Sequence, residues 1–88
     1  MYEIFYSNKV LKEIKKLKEN KLDKKAHMLI EILKINPYQT PPPYEKLLGD
    51  LETCYSRRIN FQHRLVYQVL EDENKIKVLS MWSHYENL

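Results

Sequence analysis

One cysteine, one glycine and no long apolar run remove several chemistries from this 88-residue chain before any motif is sought. Cys54 alone forms no internal disulfide, and a single thiol without clustered ligands builds no structural metal site. Gly49 alone excludes both the dinucleotide fingerprint and the P-loop, which need several glycines to bring backbone close to phosphate. No apolar stretch reaches the roughly eighteen residues of a membrane span. The opening Met1-Tyr2-Glu3-Ile4-Phe5-Tyr6 lacks the basic-then-apolar layout of a secretory signal. The expectation is a cytoplasmic protein with no membrane association. His27, His63 and His84 are scattered, none within four residues of another histidine or a cysteine, so neither a metal nor any other cofactor is expected.

What is present argues for a folded chain. The composition is 43% hydrophobic and 31% charged, without a polar low-complexity tract, as compact proteins are. At this length there is room for one core, so residues 1–88 are expected to form a single domain. The net charge is only +3, yet it is unevenly spread. Between Lys9 and Lys25 stand eight lysines (9, 12, 15, 16, 18, 21, 24, 25) against Glu13, Glu19 and Asp23. Such a patch attracts phosphate backbones or an acidic partner in a salt-dependent way. The same lysines are also what a solvated helix face carries.

Hydrophobic spacing divides the chain. Residues 2 to 6 are aromatic and β-branched with short alternation and read as a first strand. Ser7 then stands ahead of Val10, Leu11, Ile14 and Leu17, a serine N-cap before helical spacing, which predicts a helix from about Ser7 to Glu19. Leu22, Ala26, Leu29, Ile30 and Leu33 recur at three- and four-residue steps and predict a second helix to Ile35, closed by Asn36-Pro37. From Pro37 to Asp50 come all four prolines and the glycine, so a long loop is expected there, with Pro41-Pro42-Pro43 extended. Long loops in small domains more often carry function than not. Cys54 to Asn60, His63 to Glu71 and Lys75 to Ser83 read as three strands with turns at Asn60-Phe61-Gln62 and Asp72-Glu73-Asn74. The expected fold is α+β in the order β-α-α-β-β-β, a helical hairpin on one face of a mainly antiparallel sheet. Where the first strand enters that sheet is not legible.

The chemistry-bearing residues cluster on the later strands. Arg57, Arg58 and Arg64 are interleaved with Tyr55 and Tyr67, followed by Trp82-Ser83-His84-Tyr85. Arginine beside aromatic rings suits RNA, whose phosphates accept charge-assisted bonds while unstacked bases lie on rings. Successive strand residues face opposite ways, so Arg57 and Arg58 cannot both point into one site. Taken singly, each arginine also reads as a solvated edge-strand charge. Tyr67 and Trp82 read as core or rim aromatics.

Tyr55-Ser56-Arg57-Arg58-Ile59-Asn60, then His63-Arg64-Leu65-Val66-Tyr67, then Ser83-His84-Tyr85 together resemble the Txe/YoeB family of RelE-like toxins. The order and spacing of these segments are specific, and the expected element plan covers nearly the whole chain. The resemblance implies a RelE-like fold and an endoribonuclease that cuts messenger RNA in the ribosomal A site. It implies as partners a cognate YefM/Axe-like antitoxin, mRNA and the ribosome, and a homodimer, with no direct contact to DNA. Carried over by position, the general base falls on Glu45, eleven residues before Ser56, the transition-state arginine on Arg64 and the general acid on His84. Tyr85 matches an aromatic position that the resemblance implies in substrate positioning, and Lys46, Arg57 and Arg58 are further candidate substrate-binding residues. The chain departs from many relatives by continuing past the tyrosine with Glu86-Asn87-Leu88.

The chemistry of RNA cleavage accounts for these residue types independently. Without a metal, a base must take the 2′-OH proton, a cation must hold the charge building on the phosphorane, and an acid must protonate the leaving 5′ oxygen. A carboxylate is a weak base at neutral pH, so orientation of the substrate has to supply much of the rate. Two rivals remain at this level: a non-enzymatic inhibitor of the ParE-like kind on the same fold, and an RNA- or protein-binding module that uses the lysine-rich helices.

Overall fold

Ser7 ends the first strand and starts the first helix with the same side chain. Its hydroxyl accepts from the Val10 amide at 3.3 Å and donates to the Leu79 carbonyl at 3.1 Å, so the cap also pins the helix to the last strand. The computed structural model describes residues 1–47 and 53–84, with Ser83 and His84 as backbone. In chain order these form β1 (Glu3–Tyr6), α1 (Asn8–Glu19), α2 (Asp23–Ile35), β2 (Tyr44–Lys46), β3 (Cys54–Arg58), β4 (His63–Leu70), a 3₁₀ turn (Glu71–Glu73) and β5 (Lys75–His84). Both helices, and the three strands from Cys54 onward, lie where spacing predicts them.

The sheet order is β1-β5-β4-β3-β2. β1 pairs parallel with β5, so the first strand is an edge beside the last one, while the remaining pairings are antiparallel. One face takes the hairpin. Val10 and Leu17 of α1 and Ala26, Leu29, Ile30 and Leu33 of α2 pack with Leu65, Tyr67, Val69, Ile76 and Val78 of β4 and β5 in one cluster. Burial of that much aliphatic and aromatic surface is the main favourable term for so short a chain. All eight lysines between Lys9 and Lys25 are exposed. Among the described residues no helix is long and apolar enough to cross a membrane.

Two departures from expectation fall in the proline-rich segment. It holds a strand, β2, which pairs Glu45 with Ser56 and thereby extends the sheet. The proline run is not extended either: residues 40–42 bend, and the Thr40–Pro41 and Pro41–Pro42 peptide bonds are cis. Glu13 was also illegible, sitting among lysines yet buried. At a slip in the β4–β5 register, its carboxylate accepts from the Met81 amide at 2.9 Å and the Ser80 hydroxyl at 3.3 Å, tying α1 to the bulged part of β5.

Candidate active site

Alternation along the strands sorts the basic residues by face. In β2 and β3, Glu45 lies opposite Ser56, while Tyr44 and Lys46 lie opposite Arg57 and Tyr55. In β3 and β4, Ser56 lies opposite Val66 and Arg58 opposite Arg64, with Arg57 opposite Leu65. Glu45, Ser56, Arg58 and Arg64 therefore share the face away from the helices, and Arg57 shares the covered face. That open face carries a cavity of about 170 Å³ lined by Pro43, Tyr44, Glu45, Ser56, Arg58 and Arg64.

Within it, Arg64 Nη1 lies 3.8 Å from Glu45 Oε1, the arginine side chain 8% exposed and the glutamate 54%. This is an ion pair outside hydrogen-bond distance. A nearly buried guanidinium beside a half-open carboxylate leaves room for a phosphate at the cation and for a hydroxyl at the base. Arg58, exposed and directly across the ladder from Arg64, doubles the positive charge at this point. Two guanidiniums on opposed ladder positions repel, a cost that an anionic ligand removes.

His84 reaches the same end of the sheet through its backbone. Arg64 pairs with Ser83 and His63 with His84, so the last residue of β5 stands one position beyond the arginine. Inward of it, the Trp82 and His63 rings stack at 3.8 Å with an 18° interplanar angle, bracing the β4–β5 pair where it delivers the terminal residues. Tyr85 and the Glu86-Asn87-Leu88 extension lie outside the described residues.

Arg57 and Lys46 are not brought to the cavity. Arg57 is completely buried and donates to the carbonyls of Pro42, Pro37 (2.9 Å) and Gln39 (2.9 Å), with its guanidinium 5.1 Å from the Tyr44 ring centre. It holds the proline-rich segment against the sheet, because that segment's backbone carbonyls have no ladder to satisfy them. Tyr67 shares the task by donating to the Pro37 carbonyl at 2.9 Å. Burial pushes its hydroxyl up to about 12 although Arg57 pulls the other way, so it stays a neutral donor. Tyr38, Tyr44, Tyr55 and Tyr67 pack edge to face and stacked around this anchor. Lys46 belongs to the same alternate set and is exposed.

Replacing Arg57 with methionine is expected to destabilise the fold by roughly 3 kcal/mol, since several carbonyls lose a charged donor at once. A denaturant midpoint unchanged from the wild type would show that the segment holds without it.

Ser56 was missed by sequence reasoning as a site residue. It is fully buried, lines the cavity, and its hydroxyl has no hydrogen-bond partner among the described residues. A buried donor left without a partner is costly unless a ligand completes it. The signal was available: Ser56 is two residues from Arg58 and therefore on its face.

Comparison with known proteins shows what the chain is similar to. A family model described as the YoeB-like toxin of bacterial type II toxin-antitoxin systems matches residues 6–85. The chain is 32% identical over 68 residues to Toxin YoeB of Synechocystis sp., covering 77% of each chain. A heterotetrameric YoeB-YefM toxin-antitoxin complex from Staphylococcus aureus is similar at 35% identity and a TM-score of 0.79, over 97% of this chain and 99% of that one. The YoeB dimer from Staphylococcus aureus is similar at 36% identity and a TM-score of 0.78, over 96% and 98%.

Proposed function

This chain belongs to the YoeB-like toxins of bacterial type II toxin-antitoxin systems, and on that premise we propose that it is a metal-independent, ribosome-dependent endoribonuclease that cleaves mRNA. The observation that carries the proposal is the meeting of Glu45 and Arg64, nineteen positions apart in the chain, at 3.8 Å in one cavity on the uncovered face. Glu45 takes the proton from the 2′-OH, and the 2′ oxygen attacks the adjacent phosphorus. Arg64, with Arg58 beside it, holds the negative charge that builds on the non-bridging oxygens. His84 gives a proton to the departing 5′ oxygen. The products are a 2′,3′-cyclic phosphate and a 5′-hydroxyl end. DNA is inert because it lacks the nucleophile.

The half-open carboxylate fits the division of labour. A weak base in a site that water reaches gains little on its own, and the ribosome is the partner proposed to align the 2′-OH with the scissile bond. The antitoxin partner is proposed to be of the YefM kind, as in the Staphylococcus aureus complex, and a homodimer is proposed after the dimer of the same relative. An acidic antitoxin segment would compete with phosphate for the arginines, and the exposed lysines of α1 would speed its approach.

The test is a primer-extension assay on mRNA bound to ribosomes, with end-group analysis of the fragments. Cleavage with a cyclic phosphate end supports the proposal, and intact mRNA at saturating protein overturns it. Because the three side chains supply base, cation and acid, activity is expected to be undiminished by a chelator that strips transition metals while leaving ribosomal magnesium in place. Loss on chelation with recovery on added zinc or manganese would assign the chemistry to a metal instead.

A further inference from the structure

Phe61 stands at the tip of the β3–β4 turn with 82% of its surface in water, an unusual position for so apolar a ring. The turn that presents it is well held. Asn60 Oδ1 accepts from the Gln62 amide at 2.9 Å and the His63 amide at 2.7 Å, and the Ile59 amide donates to the His63 carbonyl at 2.9 Å. The ring is thus displayed on an ordered hairpin.

Beside it lies a second cavity of about 270 Å³, lined by Lys25, Pro42, Pro43, Arg58, Asn60 and Phe61 among others. Pro43 and Arg58 also line the Glu45–Arg64 cavity, so the two are contiguous. The composition of the second is specific: an exposed aromatic face, two cations from different elements, two proline rings and an amide side chain. Its volume lies below the roughly 300–1,000 Å³ typical of sites for drug-sized ligands. One nucleotide combines the matching groups, a flat base to stack and an anionic phosphate for the cations.

We infer that this cavity is a nucleotide subsite of the cleavage site, in which Phe61 stacks on a base of single-stranded RNA next to the scissile phosphate while Arg58 and Lys25 hold the flanking phosphate. The inference rests on the ribonuclease reading of the Glu45–Arg64 cavity and extends it by one nucleotide. Arg58, shared by both cavities, spans the step between them. Stacking is tolerant of base identity, so the subsite grips the strand without setting a sequence preference.

The experiment uses the full chain with Phe61→Ala, Phe61→Leu and Phe61→Trp. Binding is read with a short 2′-O-methyl oligonucleotide, which resists cleavage, and turnover with mRNA on ribosomes. Phe61→Ala is expected to weaken oligonucleotide binding roughly tenfold and to raise KM more than it lowers kcat, with an unchanged melting temperature. Phe61→Trp is expected to restore both, and its fluorescence, taken against the wild type with Trp82 alone, is expected to be quenched by the oligonucleotide. Rescue by Phe61→Leu as complete as by tryptophan would reduce the contact to apolar packing and overturn the stacking. So would wild-type binding by Phe61→Ala without quenching in Phe61→Trp, or a defect confined to antitoxin binding or dimerisation. A wild type that cuts no RNA yet binds the oligonucleotide through Phe61 would bring down the ribonuclease reading and leave the subsite standing.

Discussion

Arg64→Ala is expected to lower the rate of mRNA cleavage on ribosomes by roughly a thousandfold, the scale of losing a preorganised donor to a developing oxyanion. Three features make it the most costly single change in the cavity. The guanidinium is nearly buried, so water replaces it poorly. It lies 3.8 Å from Glu45, the proposed base, so on that reading its charge acts where the nucleophile forms. Its opposite number across the ladder, Arg58, is exposed and more strongly screened. The fold is expected to survive, because the alanine relieves the repulsion between the paired arginines and Glu45 keeps access to solvent. Arg64→Lys retains the charge but not the planar fork, and is expected to recover only part of the loss. Single-turnover rates on programmed ribosomes measure both variants. A folded Arg64→Ala protein within tenfold of the wild type would remove this arginine from the transition state.

For His84→Ala the expected loss is a hundredfold or more, and the way to assign it is through the leaving group. A general acid matters in proportion to the basicity of the oxygen it protonates. Substituting sulfur for the bridging 5′ oxygen makes the leaving group a weak base that departs unprotonated. With such a substrate, His84→Ala is expected to approach the wild-type rate, whereas Arg64→Ala stays slow because the charge on the phosphorane remains. The β5 register supports the assignment: His84 stands across from His63, one position beyond the Ser83–Arg64 pair, at the end of the sheet that holds the cavity. If sulfur substitution leaves the His84→Ala defect at full size, the histidine serves another step.

The two helices were legible because their signals are local. Ser7 before a period of three and four, and the Leu22 to Leu33 stripe before Asn36-Pro37, need no distant partner to be read. β2 was not, because three residues in a proline-rich stretch acquire strand geometry only by pairing with β3. Glu13 was hidden for a similar reason: a glutamate among lysines looks like a solvated charge until a register slip in β5 presents a backbone amide to it.

By itself the sequence determined the two helices and the strands from Cys54 onward, the lack of a multi-glycine phosphate-loop motif and of metal-ligand spacing along the chain, and the motif that identifies the family. Alternation also settled that Arg57 and Arg58 point to opposite faces. Only the tertiary structure decided which of them faces the cavity, because the answer depends on which side of the sheet the hairpin and the proline-rich segment cover. Once they cover the Arg57 side, its guanidinium becomes the donor for backbone carbonyls at Pro37, Gln39 and Pro42, and Arg58 is left on the open face with Glu45, Ser56 and Arg64. Long-range pairing of β2 with β3 and of β3 with β4 sets those distances, and neither propensity nor spacing along the chain encodes them.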